Sequence, residues 1–184
     1  MKTNTDNKIT ATLDHHDPID LFELTESLSA LGGLYKMNQT TKDSYKLSII
    51  KVREGSAVFE IASYLGSAFP IVIDTVSTLT PFIENLSTLK EKFTKGDLSK
   101  ASKKECQLMS KLAAPASTHS DNKFSFEGAQ FNNCTISFQE SHTIQNRAKR
   151  RIEEIEKTNG EFYEKVTLEW DSASKTRGTG NFAV

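Results

Sequence analysis

Cysteine is scarce in this chain. Cys106 and Cys134 are the only two among 184 residues, far apart and in no CxxC pair. That excludes a disulfide framework and a Cys-rich zinc site, and it suits a reducing compartment. A surplus of either charge is also lacking: 23 Lys and Arg stand against 24 Asp and Glu, a formal net charge of −1. Non-specific nucleic-acid binding draws on a cationic excess, so no nucleic-acid partner is expected. No run reaches the ~18 uncharged apolar residues of a membrane span. The opening MKTNTDNKIT has no apolar secretory core, and the expected location is cytoplasmic. P-loop, GxGxxG and GxSxG motifs are missing, as are internal repeats and long low-complexity runs.

What is present is architecture. Lys46 to Ala62, KLSIIKVREGSAVFEIA, reads as two strands and a tight turn. Leu47, Ile49, Ile50 and Val52 supply the β-formers of the first strand. Ala57, Phe59 and Ile61 alternate with Ser56, Val58 and Glu60 in the second, the period of a sheet with one buried face. The alternation slips between Ile49 and Ile50, which implies either partial cover on both faces or a bulge. Gly55 suits the positive φ of a short hairpin loop, and Arg53 and Glu54 near the tip are candidate contact residues.

Around this hairpin the chain alternates strands and helices. Lys8–Leu13 reads as a strand with Ile9, Ala11 and Leu13 on one face. Asp17 and Pro18 have the form of a helix cap and first helical residue. After them Leu21, Leu24, Leu28, Leu31 and Tyr35 make one apolar helical stripe. Tyr64–Ile73 is strongly apolar but interrupted by Gly66 and Pro70. Residues 71–93 carry a second stripe through Ile73, Val76, Leu79, Ile83, Leu86 and Phe93, with Pro81 predicting two segments or a kink. Leu98–Ala114 is expected to be helical and to end at Pro115. Ala116–Asn122, small and polar, reads as a linker. Lys123–Phe126 and Asn133–Phe138 make a second hairpin. Ser141–Lys157 is helical through Ile144, Ala148, Ile152 and Ile155, and Asn159-Gly160 is expected to stop it. Tyr163–Trp170 reads as a last strand, and Phe182-Ala183-Val184 as half a strand left for a partner, or for a longer chain, to complete.

Chemistry-bearing clusters are few. Asp14-His15-His16-Asp17 is the densest set of metal-ligand types, but adjacent histidines on an extended segment point opposite ways, and no spaced partner such as HExxH accompanies them. His15 and His16 are the only metal candidates, and no cofactor is expected. Cys106 and Cys134 fall on a helix and a strand, where a small buried thiol is the usual occupant. Arg147, Lys149, Arg150 and Arg151 crowd one stretch of helix and are followed by Glu153, Glu154 and Glu156. That order opposes the helix dipole, so Arg147, Arg150 and Arg151 are candidate contacts for a partner or an anion.

SLSALGGLY (Ser27–Tyr35) followed by KLSIIKVREGSAVFEI (Lys46–Ile61) resembles the start of a group of uncharacterised bacterial proteins of prophages and mobile regions. In these a strand–helix unit precedes an (I/V)(R/K)xGSxxxxL hairpin. The resemblance covers the first half of the chain, and its matching core is Val52-Arg53-Glu54-Gly55-Ser56. It implies a setting in bacterial–phage conflict and transfers no catalytic residue.

The expected fold is α+β, with a mixed or antiparallel sheet organised on the hairpin and packed by amphipathic helices. The expected order is β-α-β-β-α-α over residues 1–115, a linker at 116–122, and β-β-α-β over 123–184. Ample amphipathic helix and few convergent ionisable groups point to a protein-binding or self-associating assembly module rather than an enzyme. Two alternatives stand beside it. One is a nucleotide- or metal-dependent enzyme or sensor using the Arg147–Arg151 helix with His15 or His16. The other is a membrane-acting effector using Tyr64–Ile73.

Overall fold

The computed structural model describes residues 8–15, 18–39, 45–53, 57–65, 76–128 and 133–174. The fold is α+β: the described residues form four α-helices and a five-stranded antiparallel sheet. The strands are β1 (Ile9–Asp14), β2 (Tyr45–Arg53), β3 (Ala57–Leu65), β4 (Lys123–Glu127) and β5 (Asn133–Ser137). The helices are α1 (Leu21–Met37), α2 (Val76–Thr94), α3 (Lys103–Ala113) and α4 (Phe138–Ser174).

The sheet order is β2-β3-β1-β4-β5. β1 lies in the middle, with one hairpin on each side. Ala11 faces Phe59 of β3 and Phe126 of β4. The alternation of Ile9, Ala11 and Leu13 is therefore spent in full: these three are completely buried, and Thr10, Thr12 and Asp14 between them are not. β4 and β5 repeat the pattern, burying Phe124, Phe126, Cys134 and Ile136. This face of the sheet joins Leu31 and Leu34 of α1, Ile83 and Leu86 of α2, Met109 and Leu112 of α3, and Ile144 and Ala148 of α4 in one core.

Three polar links place the helices. Ser27 on α1 donates to the Leu112 carbonyl of α3 at 3.0 Å. Tyr35 Oη and Ser63 Oγ share a buried bond of 2.7 Å between α1 and β3. Lys90 of α2 donates to the Thr135 carbonyl of β5 at 3.1 Å.

Several expectations are corrected. The cap of α1 is Asp20, whose carboxylate accepts from Glu23 N at 2.9 Å. Pro18 precedes the helix by three residues, and Asp17 lies outside the described residues. The apolar stripe holds except at its first residue: Leu21 is exposed, Leu24 and Leu28 pack against the core, and Leu31 and Tyr35 are buried, with Ala30 and Leu34 beside them. Pro81 does not divide α2, which runs as one helix from Val76 with the proline on its exposed side. α3 begins later than Leu98 because Ser102 accepts from Glu105 N and sets the start.

The Ala116–Asn122 segment is not a loose tether. It begins inside a 3-10 turn, Ala114–Ser117, and Ala116 and Asn122 are both buried. Strands from both sides of it share one sheet and one core. Tyr163–Trp170 is helical, and Asn159-Gly160 lies within α4. The sequence here places Phe162, Val166 and Trp170 four apart, with Glu161 four before Lys165. A helix satisfies that spacing as well as a strand satisfies the alternation, and the helix-forming residues decide it. The expectations for residues 66–75, for His16 and for Phe182–Val184 fall outside the described residues.

Candidate functional site

The two ends of the sheet are treated differently. At the β5 end, Lys90 occupies the Thr135 carbonyl, and the Glu140 carboxylate accepts from Ser137 N at 3.0 Å while pairing with Lys90 at 3.1 Å. Burial pushes the Glu140 carboxyl up, but the Ser137 N–H and the Lys90 ammonium outweigh it and hold the group below its ordinary range. At the other end β2 is the outermost strand. Among the described residues, none outside β3 bonds to its backbone.

β2 also carries the expected irregularity. Ile49 faces Ile61 and Lys51 faces Glu60, so Ile50 is the extra residue of a bulge. The slip in alternation at Ile49-Ile50 was its trace in the sequence. Beyond the bulge the strand keeps two distinct rows. Leu47, Ile49 and Val52 lie on the helix-covered side, in register with Ser63, Ile61 and Phe59. Lys46, Lys51 and Arg53 lie in register with Tyr64, Glu60 and Val58 on the opposite side. Ile49, Ile50 and Val52 are 47%, 51% and 60% exposed, three apolar side chains on the outermost strand. Such edges are the usual template for an added strand.

Beside this edge α1, α3 and β2 enclose a groove of about 680 Å3. Its apolar lining includes Leu31, Leu47, Ile49, Ile61 and Leu108. Gly32 opens onto it, and a Cβ built there meets nothing within 4 Å. Lys36, Lys46 and Lys104 also line it, and among the described residues no carboxylate does. Lys36 and Lys104 were not singled out by sequence reasoning. They come from two helices and converge only in the fold.

Arg53, expected as a contact residue, lies beside this edge but is engaged. Its guanidinium donates to Glu60 at 2.5 and 3.1 Å, and Lys8 donates to the same carboxylate at 2.8 Å. The hydrogen bonds from Lys8 and Arg53 pull the Glu60 carboxyl down to about 2. Glu54 lies outside the described residues.

Arg147, Arg150 and Arg151 do come together, around Asp97, Leu98 and Ser99 of the α2–α3 connection. For Arg147 and Arg151 the chemistry there is tethering. Arg147 donates to the Gly96 carbonyl, and Arg151 to the Ser99 and Ala101 carbonyls and to Glu154. Asp97 is held below its usual range, chiefly by the Ser99 hydroxyl and then by the Ser99 N–H. An anion entering here meets two carboxylates, two guanidinium groups already in use, and the guanidinium of Arg150. His15 is exposed at the end of β1 and is not among the residues lining this hollow. No group of three or more His, Cys, Asp or Glu suited to a metal ion occurs among the described residues.

Cys106 and Cys134 are both fully buried. Burial pushes both thiols up, with the Glu105 charge adding to the effect at Cys106. A nucleophilic cysteine needs the opposite environment. Among the described residues no helix is long and apolar enough to cross a membrane. Comparison of the chain with protein-family models, with curated proteins and with solved structures finds no match in any of the three.

Proposed function

We propose that this chain is a protein-binding or assembly module without catalytic chemistry of its own, and that it receives its partner at the outer edge of β2. The observation that carries the reading is the exposure of Ile49, Ile50 and Val52 on the sheet's outermost strand, next to an apolar groove. Strand addition offers a partner main-chain hydrogen bonds along the edge and side-chain pockets at every second residue. The tethering use of Arg147 and Arg151 supports the same reading, because it commits two of the hollow's three arginines to the α2–α3 connection. The proposed setting, a cytoplasmic role in bacterial phage defence or a mobile element, rests on the Ser27–Ile61 resemblance.

The test is site-specific photo-crosslinking in cells that naturally make the protein. A photoreactive residue replaces Ile50 in one variant and Lys149, on the exposed side of α4, in another. The expected result is a recurring adduct at position 50, mapped by mass spectrometry to one defined segment of another protein or of a second copy, and none at 149. No adduct at 50, or equal adducts at both positions, contradicts the reading.

A further inference from the structure

The edge of β2 is not neutral toward its partners. Lys46, Lys51 and Arg53 form one row of the strand, and Leu47, Ile49 and Val52 the other. Lys36 and Lys104 add two more cations at the groove. Among the described residues no carboxylate pairs with Lys36, Lys46, Lys51 or Lys104. A strand laid along this edge therefore meets a basic row on one side and, on the other, aliphatic surface with Lys36 and Lys104 beside it.

We infer that the occupant is an extended segment of another protein in which acidic and aliphatic residues alternate, paired as a sixth strand on β2. The inference rests on the docking reading above and adds the chemistry of the partner. Opposite charges directly across two strands stabilise the pair, and like charges destabilise it. A second copy brings the same cations to the edge and is disfavoured by them. Edge lysines and a bulge are also the standard devices that keep a strand from pairing with itself. An acidic segment converts that repulsion into attraction. Its aliphatic residues cover Ile49 and Val52 and enter the groove where Gly32 leaves space.

The experiment titrates the full chain into a fluorescein-labelled peptide of about ten residues, a typical strand length, with valine and glutamate alternating. A second peptide carries lysine in place of each glutamate. Fluorescence anisotropy reads binding, and amide hydrogen exchange locates it. The glutamate peptide is expected to bind roughly tenfold or more tightly than the lysine peptide, to weaken as salt is raised, and to protect Leu47–Val52. A Lys46→Glu/Lys104→Glu variant is expected to lose that preference. Gly32→Leu, placed where the structure has room, is expected to block the groove and weaken the peptide while the protein stays folded.

Equal binding of the two peptides, protection elsewhere on the molecule, or binding of neither overturns the inference. If neither binds and the protein instead forms a dimer that Ile50→Lys disperses, the occupant is a second copy: the acidic-segment inference falls and the docking reading stands. If neither binds, the protein stays monomeric, and position 50 yields no crosslink, both fall.

Discussion

Tyr35 Oη and Ser63 Oγ lie 2.7 Å apart inside the core. This bond joins α1 to β3. Tyr35 also meets the Phe82 ring edge-on at 5.1 Å, which leaves its hydroxyl little freedom to seek another partner. Tyr35→Phe strands a buried serine hydroxyl and is expected to cost about 1–3 kcal/mol. The double variant Tyr35→Phe/Ser63→Ala removes both polar groups and is expected to recover much of that loss. Urea unfolding of the single and double variants measures the coupling; strictly additive losses contradict it.

Glu60 predicts an acid dependence. Its carboxyl is shifted from the ordinary 4.5 down to about 2, so the folded state prefers it ionised. The stabilisation is fully present above about pH 4.5 and is lost as pH falls toward about 2. Glu60→Gln removes it. The gap in denaturant midpoint between the parent and this variant is expected to be widest near neutral pH and to close across that interval. A gap that is constant from neutral pH down to the acid end contradicts the ion-pair account.

Two neighbouring glycines in α1 are expected to behave differently. At Gly32 an added methyl meets open space, and at Gly33 it lies 2.8 Å from Leu108 Cδ2. Gly32→Ala is expected to stabilise the protein by about 0.5–1 kcal/mol through the entropy of a helix-interior glycine. Gly33→Ala must displace the Leu108 side chain and is expected to forfeit most of that gain or reverse it. Thermal melts of the two variants decide; equal gains contradict the close packing of α1 on α3.

Arg151 is expected to act on the α2–α3 connection, not on a ligand. Its guanidinium serves the Ser99 and Ala101 carbonyls. Arg151→Met removes both bonds and is expected to cost about 1.5–3 kcal/mol, with faster amide exchange confined largely to residues 97–102. A stable variant that loses only the binding of an added nucleotide, seen by calorimetry, restores the sensor alternative.

The parts of this fold that are legible in the sequence are those written in local spacing. The alternation of Lys8–Leu13, the two hairpins, the stripe of α1 and the slip at Ile49-Ile50 all follow from neighbours along the chain. The cap of α1 is ambiguous in the sequence because Asp17-Pro18 and Asp20 carry the same signal three residues apart, and the Asp20 carboxylate is the one that reaches Glu23 N. Tyr163–Trp170 is ambiguous in the sequence because its residues fit both periods. The role of Arg147 and Arg151 was not legible, since the carbonyls they serve lie about fifty residues away. The groove was hidden for the same reason. β2 becomes an edge only when β1 pairs with β3 and β4, a non-local event that no window of sequence records.

The most direct measurement of the central claim is residue-resolved amide hydrogen exchange on the free, full-length protein across Tyr45–Arg53. An open edge leaves alternate amides of β2 facing away from β3. The account predicts an alternating pattern there, with the outward amides exchanging far faster than those bonded to β3, and uniform slow exchange in β1 at the sheet centre. Uniform slow exchange along β2 as well would mean that its outer side is already covered, and it would contradict the proposal that a partner docks there.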